Sequence, residues 1–274
     1  DPNPRVNGAG IAALRSAGVE VAVGVGASAA RALNRGFCQR MSDGRPWVQL
    51  KMAASADGKT ALASGESQWI TSAAARRDAH RLRAASSAIL TGVGTVLRDD
   101  PRMTARLDGV ARQPLRVILD SHLSTPPRSR ILQPPGDALI ITAAANAADA
   151  AALRSGSVEV IAGTERDGAI DLREVMAELA AREINELMLE AGPRLSGAML
   201  QQRLVDEIVI YLAPDLLGSN ANGMFDLPEL ACMDDKHRFA FGDIRRIGRD
   251  LRLTLHRADD ADDGADDQRD AQRS

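Results

Sequence analysis

The fold is decided by a stretch that reads Lys51-Met52-Ala53-Ala54-Ser55-Ala56-Asp57-Gly58-Lys59-Thr60 and continues to Ser64-Gly65-Glu66-Ser67-Gln68-Trp69-Ile70-Thr71. Apolar and polar side chains alternate over residues 46–53, which predicts a buried β-strand that breaks into a glycine-containing turn and a polar loop. Taken alone, Lys51 is more typical of an edge strand, where a lysine reaches water, although at a strand end it can also meet a ligand. Trp69 is either a core residue or the wall of a ligand site.

The composition favours a layered α/β protein. The chain has 274 residues, of which 45% are hydrophobic and only 3% aromatic, so the core must be built from Ala, Leu, Val and Ile. The net charge is −3, and residues 258–274 carry −5, which leaves +2 on the rest of the chain. A weakly basic body accommodates an anionic small molecule and does not indicate nucleic-acid binding.

Cysteine usage and hydropathy narrow the class of protein further. The two cysteines are far apart and lie in no CxxC pattern, so neither a disulfide framework nor a zinc site is expected. The sequence contains no recognisable signal peptide and no apolar run long enough to span a bilayer. We therefore expect a cytoplasmic protein without membrane contact.

Strand and helix patterns alternate along the chain, which predicts a three-layer α/β domain with a mostly parallel sheet. Strands are expected at 46–53, 88–91, 115–119, 138–141, 158–161, 186–190, 205–212 and 251–256, and helices at 73–85, 147–153 and 171–182. Residues 122–137 are expected to form a surface loop. In the first 44 residues we expect a strand at 19–23 between helices at 8–17 and 27–40. This fragment is too small to form a hydrophobic core of its own.

Two glycine turns are expected at strand ends. Gly92-Val93-Gly94-Thr95 follows one strand, and Ala191-Gly192-Pro193 follows another and opens a helix. Such glycines let the backbone approach a ligand and leave N–H groups for a phosphate, although a tight strand-to-helix turn explains G-x-G-T equally well. Leu97 stands where a Rossmann motif would have its third glycine, so the motif is not of that type.

The predicted helix 73–85 carries a basic face, because Arg76, His80 and Arg83 follow at i, i+4 and i+7. A solvated charged face is the favoured interpretation for Arg76 and His80.

Several of these motifs together resemble a known family. The pattern K-x-A-x-S-x-D-G-[KR]-T-A followed by S-G-E-S-x-W-I-T, the run from Gly92 to Pro101 and the tetrapeptide Glu190-Ala191-Gly192-Pro193 look like the reductase half of the bifunctional riboflavin-biosynthesis deaminase/reductase, in order and spacing. The resemblance extends over residues 45–257. It implies a dihydrofolate-reductase-like fold, a homodimer, and NADPH-dependent reduction of the ribose of 5-amino-6-(5-phosphoribosylamino)uracil.

The same resemblance implies roles for individual residues. For the chemistry itself, we expect Lys51, Asp99 and Glu190 to be catalytic. Lys51, paired with Glu190, would polarise or protonate the ribose oxygen, and Asp99 would orient the ribose or the nicotinamide. The implied contacts to the phosphorylated substrate are Ser67, Arg83, Met103, Arg106 and Glu190, with the two arginines at the 5-phosphate. The implied NADPH contacts are Ala53, Trp69, Thr95, Asp99, Ser121, Gly192, Pro193, Arg194, Leu195, Ser196, Gly197 and Ala198. The group that reads the 2′-phosphate stays open among Arg98, Arg102 and the arginines of residues 122–137.

The resemblance also divides the chain. Residues 1–44 are expected to be the C-terminal remnant of a cytidine-deaminase-like domain with its linker, residues 45–257 the reductase domain, and residues 258–274 a disordered acidic tail. The family's deaminase half binds zinc through an H-x-E and a later P-C-x-x-C signature. Neither occurs here, so the chain is expected to begin after the deaminase chemistry and to hold no zinc, whether by truncation or by loss.

Other functions fit the sequence less well. Similar archaeal and fungal reductases act on the undeaminated diaminopyrimidinone but lack a deaminase domain, so the remnant in residues 1–44 argues against that substrate. A zinc deaminase would lack its ligands here. A non-catalytic NADPH-binding protein would not need Lys51, Asp99 and Glu190, and a plain dihydrofolate reductase would not need an arginine pair for a sugar phosphate.

Overall fold

A computed structural model describes residues 1–143 and 147–258 of the chain, so the predicted acidic tail lies outside the described residues from position 259 onward. The helices are α1 (Ala9–Ser16), α2 (Ala27–Leu33), α3 (Arg35–Asp43), α4 (Ala73–Ala85), α5 (Val93–Asp99), α6 (Ala147–Leu153), α7 (Leu172–Ala181) and α8 (Pro193–Gln201). The strands are β1 (Trp47–Ser55), β2 (Lys59–Ala61), β3 (Ala88–Gly92), β4 (Leu115–Leu119), β5 (Ala138–Thr142), β6 (Val158–Ala162), β7 (Glu165–Arg166), β8 (Ala169–Ile170), β9 (Glu186–Leu189), β10 (Glu207–Ala213), β11 (Asn222–Gly223), β12 (Phe239–Ile247) and β13 (Asp250–Arg257).

The main sheet of the described residues has nine strands in the order β12-β13-β10-β1-β9-β3-β4-β5-β6. Strands β10 to β6 in this order run parallel, and β13 and β12 add an antiparallel edge. The short pairs β2–β11 and β7–β8 lie outside the main sheet. The predicted mostly parallel α/β sheet is confirmed.

Strand β1 lies inside the sheet, with β10 on one side and β9 on the other. The edge-strand interpretation of Lys51 is therefore wrong, because a strand with a neighbour on each side has no open edge. Val48, Leu50 and Met52 are buried and belong to one core cluster, as their alternation predicts. Lys51 points to the opposite face of the sheet.

Helices cover both faces of the sheet, which confirms the three-layer prediction. On one face, α7 and α8 pack their apolar stripes, including Leu179 and Met199, against the strands. On the other face, Val96 of α5 and Leu153 of α6 pack against a second cluster. Helix α4 packs its alanine face on Val209 and Tyr211 of β10. No helix of the described chain is both long enough and apolar enough to cross a membrane.

Strand β12 is absent from the sequence prediction. Most of its side chains are exposed, including Phe241 and Ile244, so the run lacks the apolar alternation that marks a half-buried strand. It forms because its backbone pairs with β13 through eight residue pairs, with one irregularity between Phe241 and Asp243.

The first 44 residues differ from the prediction in two ways. The expected strand at 19–23 is wrong, since no described strand pairs with this exposed segment. The expected helix 27–40 is divided at Asn34 into α2 and α3. Helices α1 and α2 bury none of their residues, whereas α3 is attached to the sheet through the ion pair Arg35–Glu207 at 2.7 Å.

The surface-loop prediction for residues 122–137 is wrong in part. Ile131 and Leu132 lie buried in the core cluster of α5 and α6. The fully buried guanidinium of Arg116 donates hydrogen bonds to the carbonyls of Gln133 at 2.6 Å and Asp137 at 3.2 Å. This inward-facing arginine satisfies loop carbonyls that packing has removed from water.

We predict that Gly197→Ala destabilises the protein. A Cβ atom at Gly197 would collide with the backbone carbonyl of Asp226, so the free energy of unfolding should fall by about 1–3 kcal/mol. The matched control is Gly10→Ala in α1, where a Cβ meets no described atom within 4 Å and an alanine should cost nothing. Urea unfolding measures both, and a Gly197→Ala protein as stable as the wild type would contradict this packing.

Candidate active site

A cleft of about 1680 Å³ lies at the carboxyl ends of β1, β9, β3 and β4. Parallel strands end at one edge of their sheet, so the residues that follow them collect there. The predicted site residues that line this cleft are Lys51, Ala53, Ser67, Trp69, Arg83, Thr95, Asp99, Met103, Arg106, Ser121, Glu190, Gly192, Pro193, Arg194, Leu195 and Ala198.

The floor of the cleft holds a buried carboxylate between two cations. Leu50 and Leu189 are partners in the register of β1 and β9, so the residues that follow them, Lys51 and Glu190, are neighbours. Lys51 Nζ lies 3.8 Å from Glu190 Oε2. Arg83, in the last turn of α4, donates two hydrogen bonds to the Glu190 carboxylate, from Nε to Oε1 at 2.5 Å and from Nη2 to Oε2 at 2.9 Å. The two residues form a bidentate pair.

These charges change one another's proton affinity. Burial by itself would raise the pKa of the Glu190 carboxyl, but the charges of Arg83 and Lys51 outweigh it and lower that pKa to about 2. Burial lowers the pKa of the Lys51 ammonium, although Glu190 opposes the change. Glu190 is therefore always ionised near neutral pH, and Lys51 gives up its proton more readily than an ordinary lysine.

Further arginines form a cationic end of the cleft beside α4. Burial lowers the pKa of the Arg106 guanidinium, and the nearby charges of Arg83, Arg102 and Arg130 lower it further. Cations that repel one another in this way attract a multiply charged anion. The region suits a phosphate group.

His80 is part of this cationic end. Its Nδ1 accepts a hydrogen bond from the Arg106 backbone N–H at 3.3 Å. Burial first, and then the charges of Arg83 and Arg106, lower the pKa of His80 to about 4, so the imidazole is neutral near pH 7. The solvated-face interpretation of His80 is wrong, because sequence spacing does not show that the loop after Pro101 folds back over α4.

Trp69 and Arg76 form the mouth of the cleft. Trp69 is 67% exposed, which rules out the core-residue alternative. The guanidinium of Arg76 lies 4.4 Å from the centroid of its ring and donates to the Thr71 carbonyl at 2.6 Å. Arg76 therefore supports an aromatic wall instead of facing open water.

The two glycine turns meet at the same edge, because β9 and β3 are adjacent strands. A Cβ atom on Gly94 or Gly192 would meet no described atom within 4 Å, so both backbones face open space. No described side chain caps the first N–H groups of α8. An uncapped helix N-terminus that faces a cleft fits a pyrophosphate.

Two predicted cofactor residues are not at the cleft surface. Ser196 is fully buried, and its hydroxyl donates to the Ala191 carbonyl at 3.4 Å. Gly197 packs on the backbone of Asp226. Ser196 and Gly197 follow Gly192 by four and five residues, so their packing fixes the position of the glycine turn without contact with the cleft.

The remaining predicted residues have varied surroundings. Met103 is buried with a positive φ of 51° and lies beside Arg83, whose Nη2 is 3.9 Å from Sδ. Asp99 is exposed at the end of α5, where partial burial raises the pKa of its carboxyl while Arg98 lowers it. Ser121 follows β4, and its carbonyl accepts a hydrogen bond from Thr142 Oγ1 at 3.4 Å.

The residues that line the cleft but were not predicted as site residues include Tyr211, Arg166 and Arg173. Tyr211 is buried, and its hydroxyl donates to Asp78 Oδ2 at 2.8 Å, the same oxygen that accepts from Arg252 at 3.1 Å. Arg166 belongs to the β7–β8 hairpin, which a sequence signal could have revealed, since Asp-Gly between short strands is typical of a tight hairpin. Among the described residues, no three His, Cys, Asp or Glu side chains are grouped as metal ligands.

Comparison with known proteins gives a consistent result. A family model described as the RibD C-terminal domain matches residues 46–253. The riboflavin biosynthesis protein RibD of Escherichia coli K12 is 44% identical over 267 residues, which cover 93% of this chain and 72% of that protein. Its Haemophilus influenzae counterpart is 40% identical and covers 93% and 70%.

Solved structures agree with these sequence matches. Acinetobacter baumannii RibD in its first form superposes with a TM-score of 0.84 at 37% identity, covering 94% of this chain and 71% of that one. The Thermotoga maritima diaminohydroxyphosphoribosylaminopyrimidine deaminase/5-amino-6-(5-phosphoribosylamino)uracil reductase superposes with a TM-score of 0.81 at 27% identity, covering 94% and 69%.

We predict that the imidazole of His80 titrates near pH 4 in the folded protein. An NMR titration measures this, with His80→Gln identifying the signal. Since the unfolded chain takes up this proton near pH 6.5, His80 should weaken folding as the pH falls from there towards 4.

Arg106→Ala should raise the His80 midpoint, because one repelling cation is lost. Arg81→Ala is the matched control on the same helix, since Arg81 is paired with Asp78 at 3.3 Å and lies outside the cleft. A midpoint near 6.5 in the wild-type protein would show that His80 is not held between cations.

Proposed function

Because this chain belongs to the family of RibD C-terminal domains, the reductases of riboflavin biosynthesis, we propose that it reduces the ribose of 5-amino-6-(5-phosphoribosylamino)uracil to 5-amino-6-(5-phosphoribitylamino)uracil with NADPH. The observation that carries this proposal is the Lys51–Glu190–Arg83 cluster on the floor of a cleft with a cationic end and an uncapped glycine turn. A reductase acting on a sugar phosphate needs a proton donor, a phosphate site and a dinucleotide site, and these three features match those needs.

The nicotinamide cofactor would be held along the sheet edge. Gly192, Arg194 and Leu195, together with Gly94-Thr95, would bind its pyrophosphate through backbone N–H groups, and Ala53 and Trp69 would border the nicotinamide. When bound, NADPH supplies the hydride that reduces C1′ of the opened ribose. Asp99 and Ser121, on the same edge, would orient its sugars.

The substrate phosphate would occupy the cationic end. Arg83 is already bound by Glu190 through two hydrogen bonds, so Arg106 and its neighbours Arg102 and Arg130 are the cations open to a phosphate. Ser67 and the Met103 backbone, across the cleft, would contact the rest of the substrate. Arg83 acts chiefly by keeping Glu190 ionised and in place.

Lys51 is the proton donor in this proposal. Opening of the ribose breaks the C1′–O4′ bond and leaves an iminium at C1′ for the hydride, and O4′ must take up a proton as negative charge develops. The Lys51 ammonium is buried and its pKa is lowered, which makes it a stronger acid for this transfer. Glu190 holds the ammonium group in the cleft, 3.8 Å away.

The wider organisation of the protein follows the same proposal. Residues 1–44 would be the C-terminal end of a deaminase-like domain and residues 45–257 the reductase domain, although α3 already packs on the reductase through Arg35. The protein would act as a homodimer in the cytoplasm. Light scattering after gel filtration would measure the dimer.

The proposed reaction is tested by the fall of NADPH absorbance with purified protein and the deaminated ribosylaminouracil phosphate, with the undeaminated compound in parallel. We expect oxidation of NADPH with the deaminated substrate alone. Oxidation with the undeaminated compound alone would transfer the assignment to that substrate. A protein that oxidises NADPH with neither compound would overturn the proposal.

We predict that Lys51→Ala lowers kcat about 10²- to 10⁴-fold, the usual contribution of a positioned proton donor. NADPH binding, measured by fluorescence, should change little, because the ammonium acts on the substrate oxygen. Lys59→Ala is the matched control, since Lys59 lies in the same segment but outside the cleft. Turnover by Lys51→Ala close to that of Lys59→Ala would remove Lys51 from the mechanism.

A further inference from the structure

Arginines line the cleft on both faces of the sheet, in two separate groups. Arg102, Arg106 and Arg130 lie on the side of α4 and α5, where their charges act on one another. Arg166 and Arg173 lie on the other side, in the β7–β8 hairpin and at the start of α7. One cleft with two cationic groups suits two phosphorylated ligands, or one ligand with phosphates at distant points.

The hairpin lies beyond the carboxyl ends of β4 and β5. Ile170 of β8 belongs to the same core cluster as Leu119 of β4 and Ile141 of β5. Ser121, two residues after the end of β4, also lines the cleft and follows the Gly92 turn along the sheet edge. Moving along the sheet edge from Glu190, the order is therefore the two glycine turns, Ser121 and then the hairpin.

Arg166 is anchored although its side chain is 68% exposed. Asp167 and Gly168 have φ values of 54° and 78°, as a two-residue hairpin turn requires, and this turn joins Arg166 to its partner Ala169. Arg166 Nε lies 2.8 Å from Asp171 Oδ2. Asp171 is itself fixed, because it caps α7 by accepting from the N–H groups of its first turn.

The ion pair with Asp171 uses the Nε side of Arg166 and leaves its two terminal Nη groups available to a ligand. A guanidinium has five N–H donors, and Asp171 faces the Nε side. The two terminal Nη groups make no hydrogen bond to a described residue, and they present the paired donors that match a phosphate. Arg173, by contrast, donates Nη2 to the Gln202 carbonyl at 2.9 Å.

The other arginines that line the cleft lie near different groups, which indicate other roles. Arg102 and Arg130 belong to the cationic end beside α4. Arg98 lies next to Asp99 and acts on its carboxylate. Arg194 is in the first turn of α8, directly after the glycine turn, where it would meet the pyrophosphate shared by all nicotinamide dinucleotides.

We propose that Arg166 binds the 2′-phosphate of the cofactor and thereby makes this cleft select NADPH over NADH. The proposal rests on the function proposed above and adds a residue to it. A 2′-phosphate is read by an arginine near the adenosine ribose, and Arg166 is the anchored arginine with free Nη donors at the end of the sheet edge that lies farthest from Glu190.

The test compares cofactor binding by Arg166→Ala, Arg166→Lys and Arg194→Ala. Fluorescence titrations give the Kd for NADPH and for NADH, and competition with 2′-phospho-AMP and AMP isolates the adenosine end without any turnover. We expect Arg166→Ala to weaken NADPH and 2′-phospho-AMP about tenfold or more, with NADH and AMP unchanged. Arg166→Lys should recover part of the loss, and Arg194→Ala should weaken NADPH and NADH alike.

Each outcome has a distinct meaning. An unchanged ratio of NADPH to NADH affinity in Arg166→Ala would overturn the role of Arg166, while NADPH oxidation by the wild type would leave the proposed reaction standing. Equal weakening of both cofactors would overturn it too, since a general defect is not recognition of one phosphate. A wild-type protein that binds both cofactors equally would also exclude a 2′-phosphate site, and thermal melting would confirm that the variants are folded.

Discussion

The buried carboxylate of Glu190 is the interaction on which the rest of the site depends. A carboxylate out of water is costly unless opposite charges and hydrogen bonds surround it, and here Arg83 supplies two hydrogen bonds while Lys51 supplies a second cation. The three residues come from β1, α4 and the end of β9. Their meeting therefore requires the register of the central strands and the packing of α4 to be correct at once.

The parallel sheet supplies the second constraint. All its ligand-facing turns leave the same edge, so the glycine turns after β3 and β9 and Ser121 after β4 become neighbours without any contact between them in sequence. The helices on the two faces then separate the cationic groups. Arg106 lies on the side of α4, and Arg166 lies on the side of α7, which gives one cleft two separate cationic groups.

Short-range sequence patterns predicted strands and helices correctly where the periodicity of apolar residues reflects burial. Strand β4 lies at its predicted residues 115–119, and helix α4 lies at its predicted residues 73–85. These patterns failed where a segment forms a strand only if another strand pairs with it. Strand β12 has few buried side chains and exists through its pairing with β13, while the alternating residues 19–23 have no described strand to pair with.

The amino-acid sequence by itself determined the layered α/β class and the positions of the parallel strands along the chain, because these follow from short-range spacing. Motifs that resemble a known family also pointed to many of the residues that line the cleft. Only the tertiary structure decided which charges are neighbours. It placed His80 among cations, moved Arg76 behind Trp69, buried Ser196 and brought the hairpin arginine to the cleft. Electrostatic interactions depend on distance and burial in three dimensions, and residues far apart in sequence set both.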